Sequence, residues 1–194
     1  MTSLVTVMIP TRKRIDKLVA TLTQLQESAT CRAYEVLVRI DDDDIETIAL
    51  IQRIESFRNV TATIGPRLGY TALDSGYFAG MEVRAKSPWV WIGGDDMLVY
   101  GDWFGELAKV PMTGYIVQPQ TSRLGGSTYP FAEAQAFPIF PRYCWKKYVP
   151  EFPRPFDTAG SDMLIDHGWK TWFLPGITMW HDRATADEID LHRL

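Results

Sequence analysis

Over the first hundred residues, short apolar runs alternate with segments of helical periodicity, and few folds accept that alternation. Residues 4–9 are β-branched and almost continuously apolar, as a strand covered on both faces requires. Pro10-Thr11 ends the run, because proline donates nothing to a ladder and biases its predecessor away from helix. Ile15, Leu18, Val19, Leu22 and Leu25 then recur at helical spacing, with Arg, Lys and Gln on the outside. A second apolar strand over 34–40 is cut off by Asp41-Asp42-Asp43-Asp44, and Ile48, Ile51 and Ile54 mark a second helix. Residues 60–64 alternate like a short strand and stop at Gly65-Pro66. Leu73, Tyr77 and Met81 fall four apart on a third helix, which Ser87-Pro88 breaks before the buried strand Trp89-Val90-Trp91-Ile92.

This order predicts an α/β protein: an open, mostly parallel sheet with helices on both faces, joined by right-handed crossovers. Ligands of such sheets bind beyond the carboxyl ends of the strands, where the acidic residues of this chain fall. Past residue 100 the pattern is irregular and rich in Pro and Gly. Short strands are expected at 116–118 and 136–140, a helix over 161–168, a last strand at 177–180 and a polar tail over 184–194.

Composition narrows the class. A length of 194 residues fits one domain, and 46% hydrophobic with 23% charged residues is globular rather than disordered usage. A formal charge of −4 argues against a general nucleic-acid coat, though it leaves room for a local basic groove. Cys31 and Cys144 lack metal-ligand spacing and read as small buried or half-buried thiols. No apolar run reaches the ~18 residues of a membrane span, and no basic segment precedes residues 4–9 as in a signal peptide. A cytoplasmic location is the default expectation.

Four places offer chemistry. Gly93-Gly94-Asp95-Asp96 puts adjacent carboxylates on a tight turn at a strand end, where they either hold a divalent cation or form a solvated turn. Asp41 to Asp44 form a second cluster, in which Asp44 is the expected cap of the next helix and Asp43 is structural. His181 ends an apolar stretch. It is a core histidine or, with carboxylates near, a ligand suited to Mn²⁺, whereas His167 and His192 read as surface residues. Asp162, near the start of a short helix, reads from spacing as a dipole-stabilised structural carboxylate, with a general base as the other reading. The segment 142–148 interleaves basic and aromatic residues. It flanks an acceptor groove or is an amphipathic surface with Trp145 inside.

Taken in order, these pieces resemble the inverting family 2 glycosyltransferases and their GT-A relatives. Residues 5–14 are similar to the family's first strand and Pro-Thr-x-x-Arg loop, and residues 34–42 to its second strand with the base-contacting acidic residues. Residues 69–85 sit where the family has a Gly-x-x-x-Ala-x-Asn-x-Gly helix, with Asp74 in place of Asn and Gly76 kept. Residues 91–96 match the Asp-x-Asp region, although its first Asp is Gly93 or Gly94 here. Residues 137–142 fall where the acceptor-side strand is expected, 161–164 correspond to the Glu-Asp-x-x-Leu segment with Ser161 replacing Glu, and His181 to the late metal-binding histidine. The Gln-x-x-Arg-Trp motif of polymerising synthases is absent.

The resemblance implies one GT-A domain over 1–194, with a nucleotide-sugar-binding half (1–100), an acceptor-binding half (101–183) and a tail. It implies a nucleotide-sugar donor, with uracil as the base, lined by Pro10, Thr11, Arg14, Asp41, Asp42, Gly69, Asp74 and Asp95. It implies Mn²⁺ or Mg²⁺ on Asp96 and His181, and Asp162 as the base that activates an acceptor hydroxyl on a glycan, a lipid-linked sugar or a hydroxylated nucleic-acid base. The rival readings are a non-catalytic nucleotide-sugar-binding module and a sugar nucleotidyltransferase. The second normally carries a Gly-rich basic loop after its first strand, and residues 10–14 lack the glycines.

Overall fold

The computed structural model describes residues 3–124, 127–130, 137–148 and 163–181. Its strands are, in chain order, β1 (Val5–Thr11), β2 (Tyr34–Asp41), β3 (Val60–Gly65), β4 (Trp89–Ile92), β5 (Met97–Tyr100), β6 (Tyr115–Leu124), β7 (Ser127–Pro130), β8 (Ile139–Pro141) and β9 (Lys170–His181). They form one sheet in the order β3-β2-β1-β4-β8-β6-β9-β5, with β7 paired to β6. The four strands expected from the first hundred residues lie side by side and parallel, Val7 facing Val36 on one side and Trp91 on the other. Beyond β4 the sheet is mixed: β8 and β5 run antiparallel to their neighbours, and β6 and β9 run parallel to each other.

Helix α1 (Ile15–Glu27) buries Leu18, Leu22 and Leu25 against one face of β1 and β2, as its periodicity required. Full burial of such a side chain stabilises by about 1.5–3 kcal/mol, so this face dominates the core. The expected second helix is broken into α2 (Ile45–Ile48) and α3 (Ile51–Glu55). The third is a 3₁₀ turn (Tyr70–Ala72), a π-helical turn (Leu73–Phe78) and α4 (Ala79–Glu82). Here Tyr77, Phe78 and Met81 pack with Met8, Leu37, Val90 and Ile92 on the opposite face of the sheet.

The irregular half holds more structure than its sequence promised. α5 (Trp103–Leu107) inserts Trp103, fully buried, edge-on to Trp91 at 5.1 Å and to Tyr34 at 5.4 Å. Its indole N–H donates to Leu25 O at 3.3 Å and so ties this half to α1. β9 extends well before the expected 177–180 because Pro175-Gly176 is accommodated rather than terminating. Pro119 faces Leu174 but Thr121 faces Thr178, and the slack carries Gly176 at φ +72° with its N–H donating to Gln120 Oε1 at 2.7 Å. α6 (Arg142–Tyr148) follows β8, and Leu164 is buried in the second core face. Among the described residues no helix is long and apolar enough to cross a membrane.

Candidate functional site

Parallel pairing of β1 with β2 and β4 brings Thr11, Asp41 and the 93–96 turn to one edge. The turn is shaped by its glycines. Gly93 N–H donates to Met8 O at 2.9 Å, and a Cβ there would lie 3.0 Å from that oxygen and 3.1 Å from Ile9 Cγ1. A Cβ on Gly94 would meet Phe137 Cε1 at 2.8 Å. The carboxylate that the Asp-x-Asp pattern puts at this point has no room, so the acidic function falls to the next two residues.

Those two share one cation. Arg14 Nη1 binds Asp95 Oδ1 at 2.8 Å and Arg14 Nη2 binds Asp96 Oδ2 at 2.7 Å, a fork spanning adjacent side chains. Thr11 Oγ1 donates to Asp95 Oδ2 at 2.8 Å, and Thr21 Oγ1 to the Asp95 carbonyl at 2.9 Å. Burial pushes the Asp95 carboxyl up to about 7, and the charge of Asp96 adds to this while Arg14, Thr11 and Lys17 oppose it. Beside the pair a cavity of about 250 Å³ is lined by Asp16, Lys17, Ala20, Thr21, Asp96 and Leu98.

The second cluster divides by role. Asp41 is buried and accepts from the Tyr77 hydroxyl at 2.7 Å, with Arg12 Nε 3.6 Å from its other oxygen. Burial raises its pKa, against the Tyr77 bond and the charges of Arg39 and Arg12. Asp42 accepts from Arg67 N–H at 3.3 Å. Asp43 holds Arg12 Nη2 at 2.8 Å. Asp44 caps α2 by accepting from Thr47 N–H at 3.2 Å, and also takes Lys13 N–H at 2.6 Å. Gly69 takes φ +77°, the left-handed region that glycine enters without strain.

Of the other expected residues, Pro10 lies in β1 and Asp74 in the π-helical turn, whose Asp74 side chain lies outside the described residues. Asp162 falls outside them altogether. His181 closes β9 with its backbone opposite Met97, the residue after Asp96; its side chain is likewise outside the description. Among the described residues no three His, Cys, Asp or Glu side chains gather as a metal site. The acidic pair nevertheless offers the carboxylate oxygens that a divalent cation takes, and the charge it already holds between them is that of Arg14.

Sequence reasoning missed Tyr77, Arg12 and Thr21. Tyr77 sits at helical spacing with Leu73 and Met81, which marks it as core, and nothing in the sequence signals that its hydroxyl reaches Asp41.

No family model matches this sequence, and no curated protein does. Solved structures share its fold. They include the mannosyltransferase PcManGT from Pyrobaculum calidifontis in complex with GDP-Man and Mn²⁺, with TM-score 0.68 and 15% identity over 96% of this chain and 59% of that one. They also include S. aureus TarS 1–349 with UDP (TM-score 0.66, 11% identity, 91% of this chain, 60% of that). The same protein with UDP-GlcNAc matches at TM-score 0.65 and 12% identity, over 94% of this chain and 60% of that one. The chain thus spans about three-fifths of the length of these structures. It has their α/β mixed-sheet fold, the GT-A-like architecture expected from its motifs.

Proposed function

We propose that the chain binds a nucleoside-diphosphate sugar along the carboxyl ends of β1, β2 and β4 and transfers the sugar to an acceptor hydroxyl. One observation carries this reading: a buried single carboxylate, Asp41, and a buried pair, Asp95 and Asp96, converge on the edge where sheets of this kind hold ligands. The likeness in fold to structures holding GDP-Man, UDP and UDP-GlcNAc supports it.

In this proposal Asp41, with Asp42, hydrogen-bonds the base, uracil being the expected one, and Pro10, Thr11, Arg14, Gly69 and Asp74 line the donor. Asp96 with His181 would hold Mn²⁺ or Mg²⁺, with Asp95 nearer the ribose. When bound, such an ion supplies positive charge against that developing on the departing diphosphate. Arg14 keeps both carboxylates oriented on the turn. Asp162 accepts the acceptor hydroxyl's proton as its oxygen attacks the anomeric carbon, opposite the breaking bond to the diphosphate, so configuration inverts. Base catalysis of this kind contributes ~10²–10⁴-fold in rate. The acceptor is a hydroxyl compound, such as a glycan, a lipid-linked sugar or a hydroxylated nucleic-acid base.

The test is to incubate the chain with UDP- and GDP-sugars and Mn²⁺ and identify the products by mass. Released nucleoside diphosphate with free or transferred sugar is the expected result. Pyrophosphate would instead mean nucleotidyl transfer, and intact donor would mean a binding module. Asp162→Asn should lower turnover by ~10²–10⁴-fold and leave donor affinity unchanged. Full turnover in that variant removes Asp162 from the role.

A further inference from the structure

Tyr77 is placed by the π-helical turn, and its hydroxyl joins three segments. It donates to Asp41 Oδ1 at the end of β2 (2.7 Å) and accepts from the backbone N–H of Leu68 (2.9 Å) and Gly69 (3.3 Å) in the loop after β3. Both partners are shielded, Tyr77 being 6% exposed and Asp41 3%. The Arg39 guanidinium lies over the Tyr77 ring, 5.5 Å from its centroid. Single-turn π-helical insertions concentrate at functional sites, and this one exists where it delivers a hydroxyl to a ligand-edge carboxylate.

The consequence is an asymmetric carboxylate. Oδ1 is committed to Tyr77, while Oδ2 has Arg12 Nε at 3.6 Å, beyond hydrogen-bond reach. Building on the nucleotide-sugar reading above, we infer that Tyr77 is the positioning residue that sets base choice. It takes up one lone pair of Asp41 Oδ1 and leaves Oδ2 the less occupied acceptor, which suits a base with one in-plane N–H, as in uracil. Guanine, whose N1–H and exocyclic amine engage both oxygens of a carboxylate, would have to share Oδ1 with Tyr77 and is disfavoured. The charged groups around Asp41 are Arg12 on the β1–α1 loop, Arg39 on β2 and Asp43 beyond it. The Tyr77 bond favours the ionised carboxylate that an N–H donor needs.

Calorimetric titration of UDP and GDP into the full chain, with Mn²⁺ present, across pH 5 to 8, tests this. The chain should bind UDP about tenfold or more tightly than GDP, the size of one hydrogen bond to a charged group. Tyr77→Phe should weaken UDP about tenfold, narrow the UDP/GDP gap, and shift the acid loss of UDP binding to higher pH, because Asp41 then protonates more readily. Added to Asp41→Asn, Tyr77→Phe should cost little more, since it acts through the carboxylate; a full additive loss means mere loosening of the loop and overturns the inference. Equal affinity for both nucleotides in the wild-type chain overturns it without any variant. Binding of neither nucleotide sinks the nucleotide reading as a whole, whereas selective binding unaffected by Tyr77→Phe sinks the role of Tyr77 alone.

Discussion

At the end of β2, one buried carboxylate meets a neutral hydroxyl, with arginines close by; at the end of β4, two adjacent buried carboxylates share the fork of one guanidinium. The two places sit on the same sheet edge yet differ in kind. Asp41 is held by a directional bond that fixes one oxygen and leaves the other, an arrangement suited to reading a hydrogen-bonding pattern. At Asp95 burial, with a smaller contribution from the charge of Asp96, pushes the carboxyl up to about 7 even beside Arg14. That arrangement suits a ligand or ion brought for its charge. In the proposed function, recognition and electrostatic anchoring are separated along one edge.

The comparison is broken most readily at Arg14. Its side chain is 13% exposed and those of Asp95 and Asp96 are 6% and 9%, so Arg14→Met takes the guanidinium's charge from two buried carboxylates. A loss of about 3–5 kcal/mol is expected in urea unfolding at pH 8, the usual cost of removing one side of a buried ion pair. The loss should shrink when Mn²⁺ is added. A variant as stable as the parent, with no response to Mn²⁺, contradicts the charge-driven picture of this turn.

Next comes Asp95. Its folded value of about 7 lies above the ~3.9 of an unfolded aspartate. Between these values the folded chain holds a proton that the unfolded chain has released. Stability attributable to this group is therefore greatest at low pH, falls from about pH 4 to about pH 7, and is flat above. Asp95→Asn should remove a decline on the order of a few kcal/mol, seen as the difference between variant and parent in unfolding curves across that range. Parallel pH curves for the two proteins would contradict it.

The smallest effect is expected at the other site. Asp44→Ala removes the α2 cap and an acceptor for Lys13 N–H, which should cost about 1 kcal/mol in thermal unfolding. It should also leave the titration of Asp95 unchanged, because the two sites rest on separate partners.

The parallel half was legible because β1, β2 and β4 are largely buried on both faces and its first helix has one apolar stripe, so type and order follow from local pattern. The acidic clusters could be placed on one edge for the same reason, since parallel strands end together. The mixed half was legible only in part: strands were expected within β6, β8 and β9, but not β5, α5 or the full length of β9. β5 and β8 are short, and β9 runs through Pro175-Gly176, a pair that read alone predicts a break. Only the opposing irregularity between Pro119 and Thr121 lets that strand continue.

The sequence by itself determined the α/β plan, the edge on which carboxylates collect, and the assignment of Asp44 as a helix cap, all consequences of periodicity and near-neighbour chemistry. Tertiary structure alone decided which carboxylate meets which partner. Arg14 lies 81 and 82 positions before Asp95 and Asp96, and Tyr77 lies 36 after Asp41. Contacts at such separations depend on strand register and on the π-helical turn that aims a side chain, and no local pattern encodes them. The empty first position of the Asp-x-Asp region was visible as a glycine in the sequence, but its reason, the pressure of Met8 O and Ile9 against any Cβ, belongs to the packed sheet.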